Sequence, residues 1–83
     1  MNSANIPLYH IFLTVARSSS ISGAAKSLYI SQPAVSKSIK KLEESLGVSL
    51  IKRSSKGITL TNEGNILYRY LHSALETISA GED

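Results

Sequence analysis

The chain has 83 residues, 42% of them hydrophobic, with nine Lys or Arg against six Asp or Glu, two His, and no Cys or Trp. That size and balance fit one small soluble domain with a marginal core, of the kind that often leans on a partner subunit. The absence of cysteine excludes a disulfide framework, a zinc finger and a Cys-His nucleophile, and His10 and His72 have no carboxylate cluster to make either a ligand, so no metal or cofactor is expected.

Asn5 and Pro7 form a helix start, Asn as a cap and Pro in the first turn. Leu8, Ile11, Phe12, Val15 and Ala16 then recur at i, i+3, i+4, i+7 and i+8, which predicts an amphipathic helix over 6–18. The mainly apolar stretch Ile6 to Ala16 is interrupted by His10, is far shorter than the roughly 20 residues of a membrane span, and is preceded by no charge. Neither a membrane partner nor a secretory signal is expected. Ser18-Ser19-Ser20 ends the helix.

Ser22 is read as the cap of a short second helix, residues 23–29, with Ala24, Ala25 and Leu28 on its apolar face. After a turn Ser31 caps a third helix, with Pro33 in its first turn and Gly47 at the left-handed stop beyond Leu46. On that helix Val35, Ile39, Leu42 and Leu46 fall within roughly a 60° sector, and Pro33, Lys37, Lys40 and Glu44 lie opposite. Residues 48–52 and 58–60 are β-prone and joined by Arg53-Ser54-Ser55-Lys56-Gly57, a hairpin with a basic tip. Thr61 caps a last helix over about 62–80, with Glu63 favourably placed near its positive end.

Charge is unevenly spread along these elements. From Arg17 to Lys56 eight basic residues face two acidic ones, hence +6; from Gly57 to Asp83 one basic residue faces four acidic ones, hence −3. A basic block of this kind points to a polyanion partner, although solvated lysine faces are common. The second and third helices, joined by a tight turn behind a packing helix, match the helix-turn-helix layout, in which the second of the pair enters the major groove. The same periodicity also fits an ordinary small helical domain. The hairpin favours the first reading, because a wing bearing Arg53 and Lys56 places two cations beside the third helix.

The stretch Ser20-Ile21-Ser22, Ala24-Ala25-Lys26-Ser27-Leu28, Ser31-Gln32-Pro33-Ala34-Val35-Ser36-Lys37, Ile39-Lys40-Lys41-Leu42-Glu43, Leu46-Gly47-Val48 and Leu60-Thr61-Asn62-Glu63-Gly64 resembles the N-terminal DNA-binding domain of LysR-type transcriptional regulators. The likeness covers essentially the whole chain in order. It implies a mainly α fold: a winged helix-turn-helix of three helices and a two-stranded wing over 1–60, then a long linker and dimerisation helix over 61–83. An effector domain would follow and is absent from this sequence. The resemblance implies a homodimer on a partly palindromic promoter in a bacterial cytoplasm, associated with the nucleoid, and leaves a tetramer open for the full-length protein. The mechanism would be binding without chemistry; no nucleophile, base and orienting acid stand in a recognisable arrangement. A protein-interaction or dimerisation module with an incidental basic face is the alternative.

The candidate DNA-binding residues are Ser22, Ser31, Gln32, Pro33, Ser36, Lys37, Lys40, Arg53 and Lys56. Gln32 can bond bidentately to adenine, and Pro33 offers an apolar surface to a thymine methyl. Ser36 and Lys37 lie one turn on, towards base edges or flanking phosphates, and Lys40 suits a phosphate. Arg53 and Lys56 suit the adjacent minor groove or backbone. Ser22 can present its hydroxyl and a helix N-terminus to a phosphate. Each has a plainer role open to it: Ser22 and Ser31 as caps, Pro33 as a helix starter, the lysines as solvated charges. Lys37, Lys40, Lys41 and Lys56 stand where this family often has arginine, which removes the planar two-pronged contact, and Ile51 replaces a frequent phenylalanine.

On the last helix Leu67, Leu71, Ala74 and Ile78 are spaced 4, 3 and 4, a coiled-coil seam widened by Ile66, Tyr70 and Leu75. Leu67, Tyr70, Leu71, Ala74, Leu75 and Ile78 are the candidate dimer interface; packing of the stripe on the first helix is the other possibility.

Overall fold

The computed structural model describes residues 3–82. A 3-10 turn at Ser3–Asn5 leads into α1 (Ile6–Ser18), α2 (Ile21–Leu28) and α3 (Gln32–Leu46). An antiparallel ribbon of β1 (Ile51–Ser54) and β2 (Gly57–Leu60) follows, then α4 (Asn62–Glu82). Both strands and all four helices thus occur in the expected order. Asp83, expected at the chain's acidic end, lies outside the described residues.

The helix ends show which local signals act. Asn5 does not cap α1: its backbone is already helical and its buried side chain donates from Nδ2 to Ser45 Oγ at 2.9 Å, tying the start of α1 to the last turn of α3. α2 begins two residues earlier than its serine pattern suggests. Ser20, in extended conformation, accepts the Gly23 N–H on Oγ at 2.9 Å, and Ser22 lies in the first turn with its side chain exposed. Of two serines in cap-like sequence, the one with β-region backbone takes the role. Ser20→Ala should therefore cost about 1 kcal/mol in urea unfolding, while Ser22→Ala should stay within roughly 0.5 kcal/mol of the parent.

Ser31 caps α3 as expected, accepting the Ala34 N–H at 3.2 Å, with Pro33 in the first turn. α1, α2 and α3 each end on a left-handed residue, Ser19, Tyr29 and Gly47, and only the last is glycine. At Tyr29 the reversal is closed by Tyr29 N–H to the Lys26 carbonyl and Ile30 N–H to the Ala25 carbonyl, which makes the tight turn between α2 and α3.

α1 is central, packing on α2, α3 and α4. Phe12 and Val15 meet Ala24 and Ala25 of α2 and Val35, Ile39 and Leu42 of α3 in one core, closed below by Leu50 and Ile51. The small side chains of Ala24 and Ala25 allow the close approach. Leu13, outside the apolar stripe read from the sequence, is also buried, because α4 covers a second face of α1. Ile51, in place of the larger aromatic, is buried and completes the wing's packing.

The first strand starts three residues later than expected and is one residue shorter, and the second starts one residue earlier. Pairing begins at Ile51 with Leu60 and continues through Lys52 with Thr59, Arg53 with Ile58 and Ser54 with Gly57. Residues 48–50 are not strand. The Leu50 N–H is taken by Glu43 Oε2 at 2.7 Å and its carbonyl by the Thr61 N–H at 3.0 Å, so no strand partner remains for it. Arg53 consequently sits within β1 and not at the tip, which is the Ser55-Lys56 turn. The ribbon is anchored to the α1–α2 corner by the Ile58 N–H, which donates to the Ser19 carbonyl at 3.1 Å.

Thr61 caps α4, accepting the Gly64 N–H at 2.9 Å while donating to the Ser49 carbonyl at 2.6 Å. The first turns of α4 pack on the core through Leu67, Tyr68 and Leu71; from Ser73 to Gly81 every residue is exposed.

Candidate nucleic-acid interface

α3 presents its N-terminal turn to solvent. Ser31, Gln32 and Pro33 are all exposed there, and Lys37 and Lys40 follow on the same side, while Val35, Ile39 and Leu42 face inward. The helix is amphipathic for a mechanical reason: its buried residues are one turn apart and fix its roll against α1 and α2, which leaves the polar residues no freedom to turn inward.

Between α3 and the wing lies an open cleft of about 580 Å³, whose walls include Ser36, Lys37 and Lys40 from α3 and Ile51 and Arg53 from β1. Successive strand residues alternate in direction, so Arg53 shares the α3-facing side of the ribbon with buried Ile51, and Lys52 points to the other side. Four of the predicted site residues, Ser36, Lys37, Lys40 and Arg53, thus converge on one cleft. Lys56 stands apart in the exposed turn, and Ser22 on α2 lies outside the cleft. Gln32 and Pro33 are one turn further up α3.

Glu43 is part of the family-like pattern but is given no site role by the sequence; it lines the cleft on the α3 side, with its carboxylate turned to the backbone of residues 50 and 51. Its acidic character inside a basic stretch, shared with Glu44, and its place in the Leu42-Glu43 pair of the family-like pattern are the signals that could have found it.

The proposed seam on α4 divides. Leu67 and Leu71 are half-buried against the core. Leu71, Ala74, Leu75 and Ile78 line an apolar groove of about 390 Å³ against Ile6, Tyr9, His10 and Leu13 of α1. Ile78 is 58% exposed and Tyr70, on the flank beside Arg69, 74%. Part of the stripe thus packs on α1, and its distal part remains uncovered. His72 Nε2 lies 2.8 Å from Glu76 Oε1 on α4, and its ring stacks on Tyr68. Among the described residues no group of three or more His, Cys, Asp or Glu is placed to hold a metal ion, and no helix is long and apolar enough to cross a membrane.

Residues 6–65 match the family model described as bacterial regulatory helix-turn-helix protein, lysR family. The chain is 47% identical over 74 residues to the HTH-type transcriptional regulator GltR of Bacillus subtilis, covering 89% of this chain and 25% of that protein. To the HTH-type transcriptional regulator PcaQ of Agrobacterium fabrum it is 39% identical over 72 residues, 87% of this chain and 23% of the relative. The chain thus spans about a quarter of the length of the curated relatives it matches. Among solved structures, the CbnR DBD–DNA complex superposes with a TM-score of 0.81 at 34% identity, over 93% of this chain and 88% of that one. The fold is that of the winged helix-turn-helix domains of LysR regulators, and the chain belongs to the lysR family of bacterial regulatory helix-turn-helix proteins.

Proposed function

We propose that this chain is the DNA-reading part of a transcriptional regulator, with α3 lying in the major groove of duplex DNA and the wing beside it. The observation that carries this reading is the cleft in which Lys37, Lys40 and Arg53 converge next to the exposed N-terminal turn of α3. A helix of 15 residues is about 22 Å long, ample to cross a groove about 12 Å wide, and its polar side is free. The likeness to a domain held in a DNA complex supports the same assignment.

In this reading Gln32 and Pro33 meet base edges, Ser36 and Lys37 base edges or flanking phosphates, Lys40 a phosphate, and Arg53 and Lys56 the adjacent minor groove or backbone. Ser31 joins them as the cap of α3. Ser22, freed from capping, has its hydroxyl available to a phosphate near the start of α2. Residues 1–60 form the reading head and 61–83 a linker helix that pairs two subunits through the uncovered end of the α4 stripe, giving the twofold symmetry of a partly palindromic site. The protein works in the bacterial cytoplasm, on the nucleoid, by binding alone.

Titration of a duplex selected from random sequence, at several salt concentrations, tests the proposal. A dimer neutralising roughly six to ten phosphates should show log affinity falling with log salt at a slope of about −5 to −9. Gln32→Ala should lose roughly 1 to 3 kcal/mol and relax preference at one position per half-site. A flat salt response would remove the DNA reading and favour a protein-interaction module.

A further inference from the structure

We propose that Glu43 is a positioning residue for DNA readout, one that fixes the wing, and Arg53 with it, at its working distance from α3. The inference rests on the DNA reading above and goes beyond it, because Glu43 itself touches no nucleic acid in this scheme.

Among the described residues Glu43 is the one acidic group lining the cleft, beside Lys37, Lys40 and Arg53. A carboxylate beside a surface meant for phosphates opposes binding by simple charge repulsion, so its presence there calls for a compensating task. It does not neutralise the cations: among the described residues no lysine or arginine lies within ion-pair distance of it. Instead Oε2 accepts the Leu50 N–H at 2.7 Å and stands 3.4 Å from the Ile51 nitrogen and 3.5 Å from Ser49 Oγ. A charge-assisted bond of this length is among the stronger single ties a surface segment can have. It falls where it has leverage. Ile51 is the first residue of β1, and Arg53 follows two residues later on the same side of the ribbon. From the opposite side the same segment is held by Thr61, through Oγ1 to the Ser49 carbonyl and N–H to the Leu50 carbonyl. Residues 49–51 are therefore strapped between α3 and α4. Among the described residues, removing Glu43 leaves residues 49–51 hydrogen-bonded, beyond the ribbon's own pairing, to Thr61 alone, and the wing keeps only non-directional apolar packing to fix its distance from the reading helix.

The test compares Glu43→Gln, Glu43→Asp and Glu43→Ala, each with and without Arg53→Ala, on the duplex selected by the parent chain. Glutamine retains an acceptor at the same reach, whereas aspartate keeps the charge but is one methylene too short for the Leu50 N–H. Arg53→Ala is expected to weaken binding roughly tenfold in the parent and in the Gln variant. In the Ala and Asp variants, where the arginine is already misplaced, it should change affinity less than about twofold, a non-additivity that independent sites do not show. Random-site selection should show relaxed preference at the wing's positions only, with those of Gln32 intact. If Glu43 merely repelled DNA, Gln and Ala would both tighten binding equally, and if it only supported the fold, Arg53→Ala would cost the same in every folded background; either result overturns the proposal. Should Glu43→Ala be unfolded by circular dichroism, the Asp variant carries the same comparison. A parent chain without affinity for any duplex would instead overturn the functional reading beneath it.

Discussion

Gly64→Ala is expected to be among the most damaging single-methyl additions in this chain, lowering stability by about 3 kcal/mol, the upper end for an overpacked core, and the melting temperature by roughly 12–24 °C. Helix propensity argues the opposite sign, since alanine in place of a helical glycine is worth about 1 kcal/mol. Geometry decides. A Cβ on Gly64 would intrude on the Leu50 carbonyl oxygen, which is backbone, belongs to a residue 1% exposed, and already accepts the Thr61 N–H. Neither side can yield without opening the junction between the wing and α4. Gly81, on the same helix, is the control, because a methyl added there would meet nothing within 4 Å; Gly81→Ala should be neutral or stabilising by up to about 1 kcal/mol. Thermal unfolding of the two variants decides the matter, and a Gly64→Ala melting point within a few degrees of the parent would contradict the steric account.

The second large effect concerns assembly. Leu75 and Ile78 lie beyond the part of α4 that packs on the core, at 42% and 58% exposure, whereas Leu71 is half-buried against it. Replacing Leu75 and Ile78 by glutamate therefore tests the proposed dimer without attacking the fold. Four carboxylates would be brought together in a twofold interface beside apolar neighbours, an arrangement that burial makes strongly unfavourable. The double variant should sediment as a monomer with an unchanged helical spectrum. Its affinity for a duplex with two half-sites should fall by a factor of about 10²–10⁴, towards that of a single half-site, as the linkage between them is lost. A parent chain monomeric at tens of micromolar, roughly where weak dimers still form, would place the whole stripe in the service of one subunit.

Local rules carry the fold a long way. α1 and α3 are legible to the residue because periodic apolar faces coincide with strong end signals, Pro7, Ser31 and Gly47. The limits come where a choice depends on distant partners. Ser20 and Ser22 are equivalent in sequence, and only the backbone reversal at Ser19 decides between them. Val48 to Leu50 have strand propensity, but the Glu43 carboxylate and Thr61 take the hydrogen-bonding groups a strand would need. Arg53 reads as a loop-tip residue for the same reason: with pairing delayed to Ile51, the turn moves to Ser55-Lys56 and the arginine falls inside β1. The convergence of α3 lysines with Arg53 is foreseeable as chemistry; the tether from Glu43 to the wing is not, because the family-like pattern contains Glu43 without saying what it bonds, and its partners at residues 49–51 are met only once the chain has folded back.

The bond from the Ile58 N–H to the Ser19 carbonyl also bears on behaviour at high concentration. A two-stranded ribbon has two open edges, each able to pair with a strand from another molecule and seed aggregation. Here the α1–α2 corner occupies the outer edge of β2, and Gly57 lets it come so close that a side chain at that position would meet the Ser19 carbonyl oxygen at 2.7 Å. The remaining edge belongs to β1, four residues long and carrying Lys52 and Arg53. Charge and brevity discourage self-pairing there, so an arginine proposed to meet DNA also helps to keep the wing from stacking on its own copies.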